Sequence, residues 1–323
     1  MHFVIYGAGA IGGVVGAHLH ASGIPTTLVA RGAHLAAMRE HGLVLDTAGG
    51  RHAHRIPLAA NASEVEWTED TVVLLTVKSQ QTAAALDDLR TSAPPSTPIV
   101  SAQNGVANEP AILRRFARTY SVCVMLPALH LEPGVVVQGS SAHPGILDVG
   151  RFPDGVDALS TSLASCFAAA GFPSEARPQI MAWKYRKLIM NLANGIDACF
   201  RDDSAAHREL VSRARAEGEA VLAAAGIEAV SSETDRQRRG DLIVRRPTGE
   251  DGSGSSTWQS VERGTGSVEI DYLTGEIVLL GRLHGVGTPV NELVQAETMR
   301  LVRDRLPAGS LDPAAAVTRL AQA

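Results

Sequence analysis

The sequence predicts an α/β fold: an N-terminal doubly wound parallel sheet with a second, mostly helical C-terminal domain. Three observations predict it. Short apolar runs alternate with helical periods through the first half of the chain, the pattern of strand-helix-strand units. One of those runs, Thr71-Val-Val-Leu-Leu-Thr-Val77, is bounded by polar residues and reads as a central parallel strand covered on both faces. Beyond Ala170 the apolar spacing becomes helical, with a period near 3.6 residues.

The elements follow in order. Phe3 to Tyr6 is a strand, and Ile11, Val14, Val15, Ala17 and Leu19 mark a helix that Gly23 ends. Thr26 to Ala30 is a second strand. His34 to His41 is a short helix closed by Gly42, and Leu43 to Leu58 is a β excursion. After the strand at Thr71, Ala83 to Leu89 is a helix, Pro94-Pro95 interrupts the chain, and Pro98 to Ala102 is the next strand. Val122 to Leu126, Val135 to Gln138 and Gly145 to Val149 are further strands, the last two read as a candidate hairpin. Asp157 to Ala169 is a helix and Gly171 to Pro178 a connector, so the domains are taken as 1–175 and 176–323. In the second, Ile180 to Ala198, Ala206 to Ala225, Val268 to His284 and Asn291 to Arg305 are helices. Thr248 to Ser256, rich in Gly and Ser, is expected to be a mobile loop.

Composition limits the functions available. With 323 residues the chain can bury a large core in two domains. A formal net charge of -5 and 20% charged residues leave no basic field, which disfavours nucleic-acid binding. No apolar run reaches the length of a bilayer span, and the expected location is cytoplasmic. Cys123, Cys166 and Cys199 are far apart and read as buried free thiols rather than a disulfide framework or zinc site. His52 and His54 can share one side of a strand, yet their polar setting favours a solvated hairpin over a metal pair.

The most informative motif is Gly7-Ala8-Gly9-Ala10-Ile11-Gly12, between the first strand and its helix. It is the dinucleotide-binding, or Rossmann, fingerprint: Gly7 permits the tight turn, Gly9 lets backbone amides approach a pyrophosphate, and Gly12 lets the helix pack on the strand. The helix N-terminus supplies amide donors and a favourable dipole for the phosphates. At the end of the second strand, where a carboxylate would bind the ribose hydroxyls of NAD, Arg31 stands instead. A guanidinium can pair with a 2′-phosphate, so NADP is the expected cofactor. An ordinary solvated arginine is the other reading.

Ligands of a doubly wound sheet gather beyond the C-terminal ends of its strands. Lys78 follows one such end and Gln103-Asn104-Gly105 another, so Lys78 and Asn104 can reach cofactor, or can be a strand cap and a plain turn. On the helix from Trp183, Lys187 and Asn191 are four residues apart and share a face among Leu188, Met190 and Leu192. Carbonyl reduction needs such a pair, because an ammonium can stabilise the developing oxyanion and deliver a proton to it. A lysine snorkelling to water beside a helical asparagine would look the same.

Read in order, the glycine turn, Val77-Lys78, Gln103-Asn104-Gly105, Glu132-Pro-Gly134, Lys187-Leu-Ile-Met-Asn191, Ser255-Ser-Thr-Trp-Gln259, Val268 to Gly275 and Gly287-Thr-Pro-Val-Asn291 resemble the ketopantoate reductase family (2-dehydropantoate 2-reductases) over nearly the full length. The resemblance implies NADPH-dependent reduction of 2-dehydropantoate to (R)-pantoate in a cleft between a Rossmann domain and a helical domain. It implies Lys187 as general acid, Asn191, Asn194 and Ser256 on the substrate, and Gly7, Ala8, Gly9, Ala10, Ile11, Gly12, Arg31, Lys78, Asn104, Gly105 and Glu269 on the cofactor. Glu269 would also help orient the lysine. Metal is not implied, a 2-keto acid is the expected partner, and a homodimer stays open.

The chain departs from the family pattern where a second substrate asparagine often stands four residues after the first, since it has Gly195 there. Asn194 is one position early, about 100° around an ideal helix. Between Ser256 and Glu269 the chain is also one residue longer than the usual spacing. A reductase of another 2-oxo acid, or a noncatalytic NADP-binding sensor, are the alternative readings.

Overall fold

A computed structural model describes residues 1–322 other than 131, 201, 247–253, 263 and 265. Most of the segment expected to be a mobile loop, 248–253, lies outside the described residues. The chain divides into two compact units, Met1–Trp183 with Ser232–Pro247, and Lys184–Ser231 with Thr248–Ala323.

The first unit is built on a seven-stranded sheet. Its strands are β1 (His2–Tyr6), β2 (Thr26–Val29), β5 (Leu58–Ala59), β6 (Thr71–Leu75), β7 (Ile99–Ser101), β8 (Thr119–Met125) and β11 (Ile146–Arg151), in the spatial order β11-β8-β7-β6-β1-β2-β5. All neighbours run parallel except β11 and β8. The strand order reverses at β1, which pairs with β2 on one side and β6 on the other, and a sheet of this class binds ligands beyond the strand ends at such a point.

Alternation along β1 explains why the sheet is covered on both faces. Phe3 and Ile5 join one core with Val14, Leu28, Phe167 and Phe172, whereas Val4 and Tyr6 join the other with Val73, Leu86, Ile112 and Phe116. Helices α1 (Ala10–Ala21), α2 (Gly32–His41), α3 (Thr82–Ser92), α4 (Asn108–Leu113) and α5 (Ala158–Ala169) belong to this unit. The N-terminus of α5 is set by a capping box between Asp157 and Ser160, with the Ser160 amide donating to Asp157 at 2.8 Å.

A second, smaller sheet has the order β4-β3-β10-β9, made by β3 (Leu43–Thr47), β4 (Gly50–His54), β9 (Ala128–Leu129) and β10 (Val135–Gln138). Strands β3 and β4 form a hairpin whose β4 arm, carrying His52 and His54, is largely exposed while Leu43 and Leu45 of β3 are buried. The expected hairpin of β10 with β11 does not form. β10 pairs with β3 and β9 and alternates half-buried Val135 and Val137 with buried Val136 and Gln138, whereas β11 is buried over Ile146 to Gly150 and lies on the large sheet beside β8.

The second unit is helical. α6 (Ile180–Cys199) continues into it from the first, and α7 (Ala205–Ala224), α9 (Ser256–Glu262), α10 (Thr274–His284), α11 (Pro289–Asp304) and α12 (Pro313–Ala321) complete it. Helix α7 packs on α10, α11 and α12. Leu188, Leu192 and Ile196 of α6 are buried at helical spacing, and Ile189 and Leu192 press against Gly218 of α7, where a Cβ would lie 2.5 Å from Ile189 Cδ1.

One expected helix is corrected here, and one helix is new. The helix expected from Val268 begins only at Thr274, because Ile270–Tyr272 is a 3-10 turn and Leu273 (φ -114, ψ -87) breaks the ladder before α10. Helix α8 (Ser232–Arg239), not foreseen, lacks an apolar stripe and returns the chain to the first unit. There Arg238 grips the buried Asp148 through two bonds of 2.9 and 2.7 Å. No helix among the described residues is long and apolar enough to cross a membrane.

Candidate active site

In the first unit each glycine of the fingerprint has its own reason. Gly7 has φ +110, and a Cβ there would come within 2.7 Å of Val77 Cγ1 and 2.9 Å of its amide nitrogen. A Cβ on Gly12 would fall on the Gly7 carbonyl and within 2.5 Å of Thr76 Oγ1, so only glycine lets α1 lie this close to β1 and β6. Gly9 differs, because a Cβ there would meet no protein atom within 4 Å. Protein packing does not demand glycine at that position. An approaching ligand would.

Gly9 is the N-cap of α1 and supplies no side chain to cap it. The first helical bond runs from the Gly13 amide to Gly9 O at 2.7 Å, so the amides of Ala10, Ile11 and Gly12 open the helix without intrahelical acceptors. No acidic residue stands in that first turn, which suits an anion. Thr76, just past β6, donates through Oγ1 to Gly7 O at 2.7 Å and ties the turn to the neighbouring strand end. Arg31 is exposed at the N-cap of α2, one residue beyond Ala30.

Lys78 and Asn104, both half-buried, follow β6 and β7, and a buried polar network joins the two segments that carry them. Gln103 Nε2 donates to Val77 O and to Thr82 Oγ1, both at 2.8 Å, and Thr82 donates to Asn108 Oδ1 at 2.8 Å. Asn108 Nδ2 then donates to Asn104 O at 3.1 Å. Gly105 takes the left-handed conformation the turn requires, with φ +76. Thr82 and Asn108 were not singled out from sequence. They lie within four residues of the strand-end motifs, and that proximity was the available signal.

In the second unit Lys187 and Asn191 share one face of α6 and are half-buried. Asn194, one turn further on, donates from Nδ2 to Ser256 Oγ at 3.4 Å, and Ser255 Oγ donates to Asn194 O at 3.0 Å. The start of α9 is thereby pinned to α6 at Asn194, which brings Asn194 and Ser256 together. Gly195, where the family pattern often has an asparagine, faces the interior: a Cβ there would lie 2.7 Å from Val294 Cγ1 and 2.9 Å from Ile270 Cδ1. A longer side chain has no room at 195, and the chain carries its amide group at 194. Glu269 is buried immediately before Ile270.

Other ionisable groups on these helices are structural. Arg186, buried on α6, donates to Val230 O and to Glu219 of α7. Glu217 of α7 accepts from the amides of Val290 and Asn291 at 2.9 and 3.0 Å, capping α11. Burial pushes the Cys199 thiol up to about 12, so it is inert as a nucleophile at neutral pH. The described residues hold no cluster of His, Cys, Asp and Glu that could bind a metal ion.

Comparison with known proteins adds identity to this geometry. Residues 3–154 match the family described as "Ketopantoate reductase PanE/ApbA", and residues 179–301 match "Ketopantoate reductase PanE/ApbA C terminal". A relative from Mesorhizobium japonicum named "2-dehydropantoate 2-reductase" is 30% identical, over 94% of this chain and 99% of its own. The crystal structure of a PanE/ApbA family ketopantoate reductase from Ralstonia eutropha superposes with TM-score 0.80 at 27% identity, covering 95% of this chain and 99% of that one. A D-mandelate dehydrogenase solved with NADH and anilino(oxo)acetate shares the fold equally well, with TM-score 0.80 at 24% identity and the same coverage. Both halves of the chain match, and the match takes in the glycine turn as well as the helix bearing Lys187 and Asn191, so this chain belongs to the ketopantoate reductase family.

Proposed function

We propose that this chain is an NADPH-dependent reductase of 2-oxo acids, and that it reduces 2-dehydropantoate to (R)-pantoate. Residues 1–175 would hold the dinucleotide and 176–323 would carry the acid and the substrate groups. The observation that carries the reading is Lys187 one helical turn from Asn191 on α6, in a chain whose two halves both match the family.

The cradle fits a dinucleotide: the space beside Gly9 that a Cβ would fill, and the opening amides of α1, suit a pyrophosphate. A nicotinamide bound there would supply the hydride. Arg31 would pair with the 2′-phosphate, Lys78, Asn104 and Gly105 would contact the cofactor beyond the strand ends, and Glu269 would add a further contact to it. Lys187 gives a proton from Nζ to the carbonyl oxygen as negative charge develops there. Glu269 would help orient that amine. Asn191, Asn194 and Ser256 hold the keto acid by its oxygens, with the Asn194–Ser256 bond fixing two of the three against each other.

Steady-state oxidation of NADPH with 2-dehydropantoate beside a panel of other 2-oxo acids tests the proposal. The expected result is turnover with 2-dehydropantoate as the best substrate. Tight binding of NADPH without turnover on any keto acid would replace it with the sensor reading. A second enzymatic reading, another 2-oxo acid on the same chemistry, is favoured by Gly195, which denies the substrate end an asparagine at that position. The same panel separates the two.

A further inference from the structure

The Glu132-Pro-Gly134 motif has no part in the reaction as proposed, and His34 connects it to the glycine turn. His34 lies in α2, with Nε2 2.8 Å from Ala8 O and Nδ1 2.8 Å from the Gly134 amide nitrogen. The Gly134 N–H can only donate, so Nδ1 accepts and the ring proton sits on Nε2, from which it is donated to Ala8 O. Burial first, and then His130 with its ring 4.2 Å away, push the His34 pKa below its ordinary value and keep the ring neutral. Both ring nitrogens are then satisfied by backbone.

The far side of this link is itself braced. Gly134 has φ +81, and a Cβ on it would come 2.9 Å from Ala37 Cβ of α2. Its carbonyl accepts from the Val44 amide at 2.9 Å, and the turn is closed by the Val135 amide donating to Glu132 O at 3.1 Å. The near side matters because Ala8 C=O belongs to the same planar peptide as the amide of Gly9, the N-cap of α1. The rotation of the Ala8–Gly9 peptide is fixed from both ends, its amide donating to Gly7 O at 2.8 Å and its carbonyl accepting from His34 at 2.8 Å. This is the peptide that leads into a helix start with no side-chain cap.

We propose that His34 is a positioning residue for dinucleotide binding: a neutral two-sided brace that takes its tautomer from Gly134 and holds the Ala8–Gly9 peptide in the orientation the phosphates need. This rests on reading the glycine turn as the cofactor site. It assigns the Glu132-Pro-Gly134 turn a role in cofactor binding at a distance from the reacting atoms.

Three substitutions separate the two bonds. His34→Gln can place an amide N–H where Nε2 stands and keep the Ala8 bond. His34→Asn can place an acceptor where Nδ1 stands and keep only the Gly134 bond, and His34→Leu keeps neither. NADPH dissociation constants of the full chain, measured by fluorescence titration, should rise about tenfold for Leu and Asn and stay within about threefold of the parent for Gln. With NADPH saturating, kcat and the keto acid KM should stay within about twofold in all three, which a general loss of structure would not allow. Equal affinity for Asn and Gln, or an affinity of His34→Leu matching the parent, overturns the proposal; the Gln and Asn pair decides it if the Leu variant does not fold. A parent protein that binds no NADPH refutes both this role and the cofactor site beneath it, whereas a parent that binds normally confines any failure to His34.

Discussion

The two units build their candidate sites from different materials. In the first, the candidate groups are mainly backbone amides at the start of α1, and the side chains of Thr76 and His34 bond to the turn that leads into them. In the second, the working groups are side chains on one face of α6, and backbone packing at Gly195 and Gly218 decides where that face points. A backbone site tolerates little change in main-chain geometry yet asks for few particular side chains. A side-chain site depends on single functional groups. The first should therefore fail through affinity and the second through turnover.

The largest effect is expected at Lys187. Lys187→Ala should lower kcat by about 10²- to 10⁴-fold, the usual contribution of a positioned acid, with the NADPH dissociation constant unchanged. Turnover near that of the parent would remove the acid, and a matching loss of NADPH affinity would break the contrast between the units. Arg31→Ala should act in the opposite sense. Loss of a charge-assisted bond to the 2′-phosphate should cut the preference for NADPH over NADH by about 10- to 100-fold and leave kcat with NADPH saturating near its original value. An unchanged preference would discard the phosphate role.

The two glycines of the turn allow a sharper test within one unit. Gly12→Ala forces a methyl group against the Gly7 carbonyl, Thr76 and Ile5, and should destabilise the protein by about 1–3 kcal/mol. Gly9→Ala meets no protein atom, so its melting temperature should stay within about 2 °C of the parent while NADPH affinity falls. Thermal unfolding with and without NADPH measures both. If Gly9→Ala binds NADPH as tightly as the parent, the space beside Gly9 is not where the phosphates lie.

This contrast also explains what could be read from sequence. The cradle was legible because its requirements fall on glycine, and Gly7 and Gly12 are glycine for the expected steric reasons. The sheet was legible from continuously apolar strands such as β6. The partner of β10 was not, because Val-Val-Val-Gln carries no alternation that ties it to one sheet, and only tertiary packing places it between β3 and β9. Lys187 and Asn191 were legible as a helical pair. The Asn194–Ser256 bond was not, since it joins residues 62 apart in the chain and the glycine- and serine-rich stretch just before Ser256 carries no periodic signal. Nor was His34, whose surroundings of small residues on α2 gave no hint that both ring nitrogens face backbone.

The smallest expected effect concerns pH, and the buried groups of the two units drive it in opposite directions. Burial lowers the pKa of His2, His18, His34 and His54, all in the first unit. Their unfolded forms take up a proton near pH 6.5 and their folded forms resist it. The stability they contribute is complete above that pH and is lost as the pH falls through the lower folded values. In the second unit burial raises the pKa of Glu276. Its folded form binds the proton more tightly than its unfolded form, so stability is gained as the pH falls through the raised folded value toward the ordinary glutamate range. Hydrogen exchange resolved by peptide, corrected for intrinsic rates and compared at pH 7.5 and 5.5, should show protection falling in β1, α1 and α2 and holding or rising in α10. Parallel loss of protection in both units would mean that they share one titration, and the division drawn here between them would not extend to their stability.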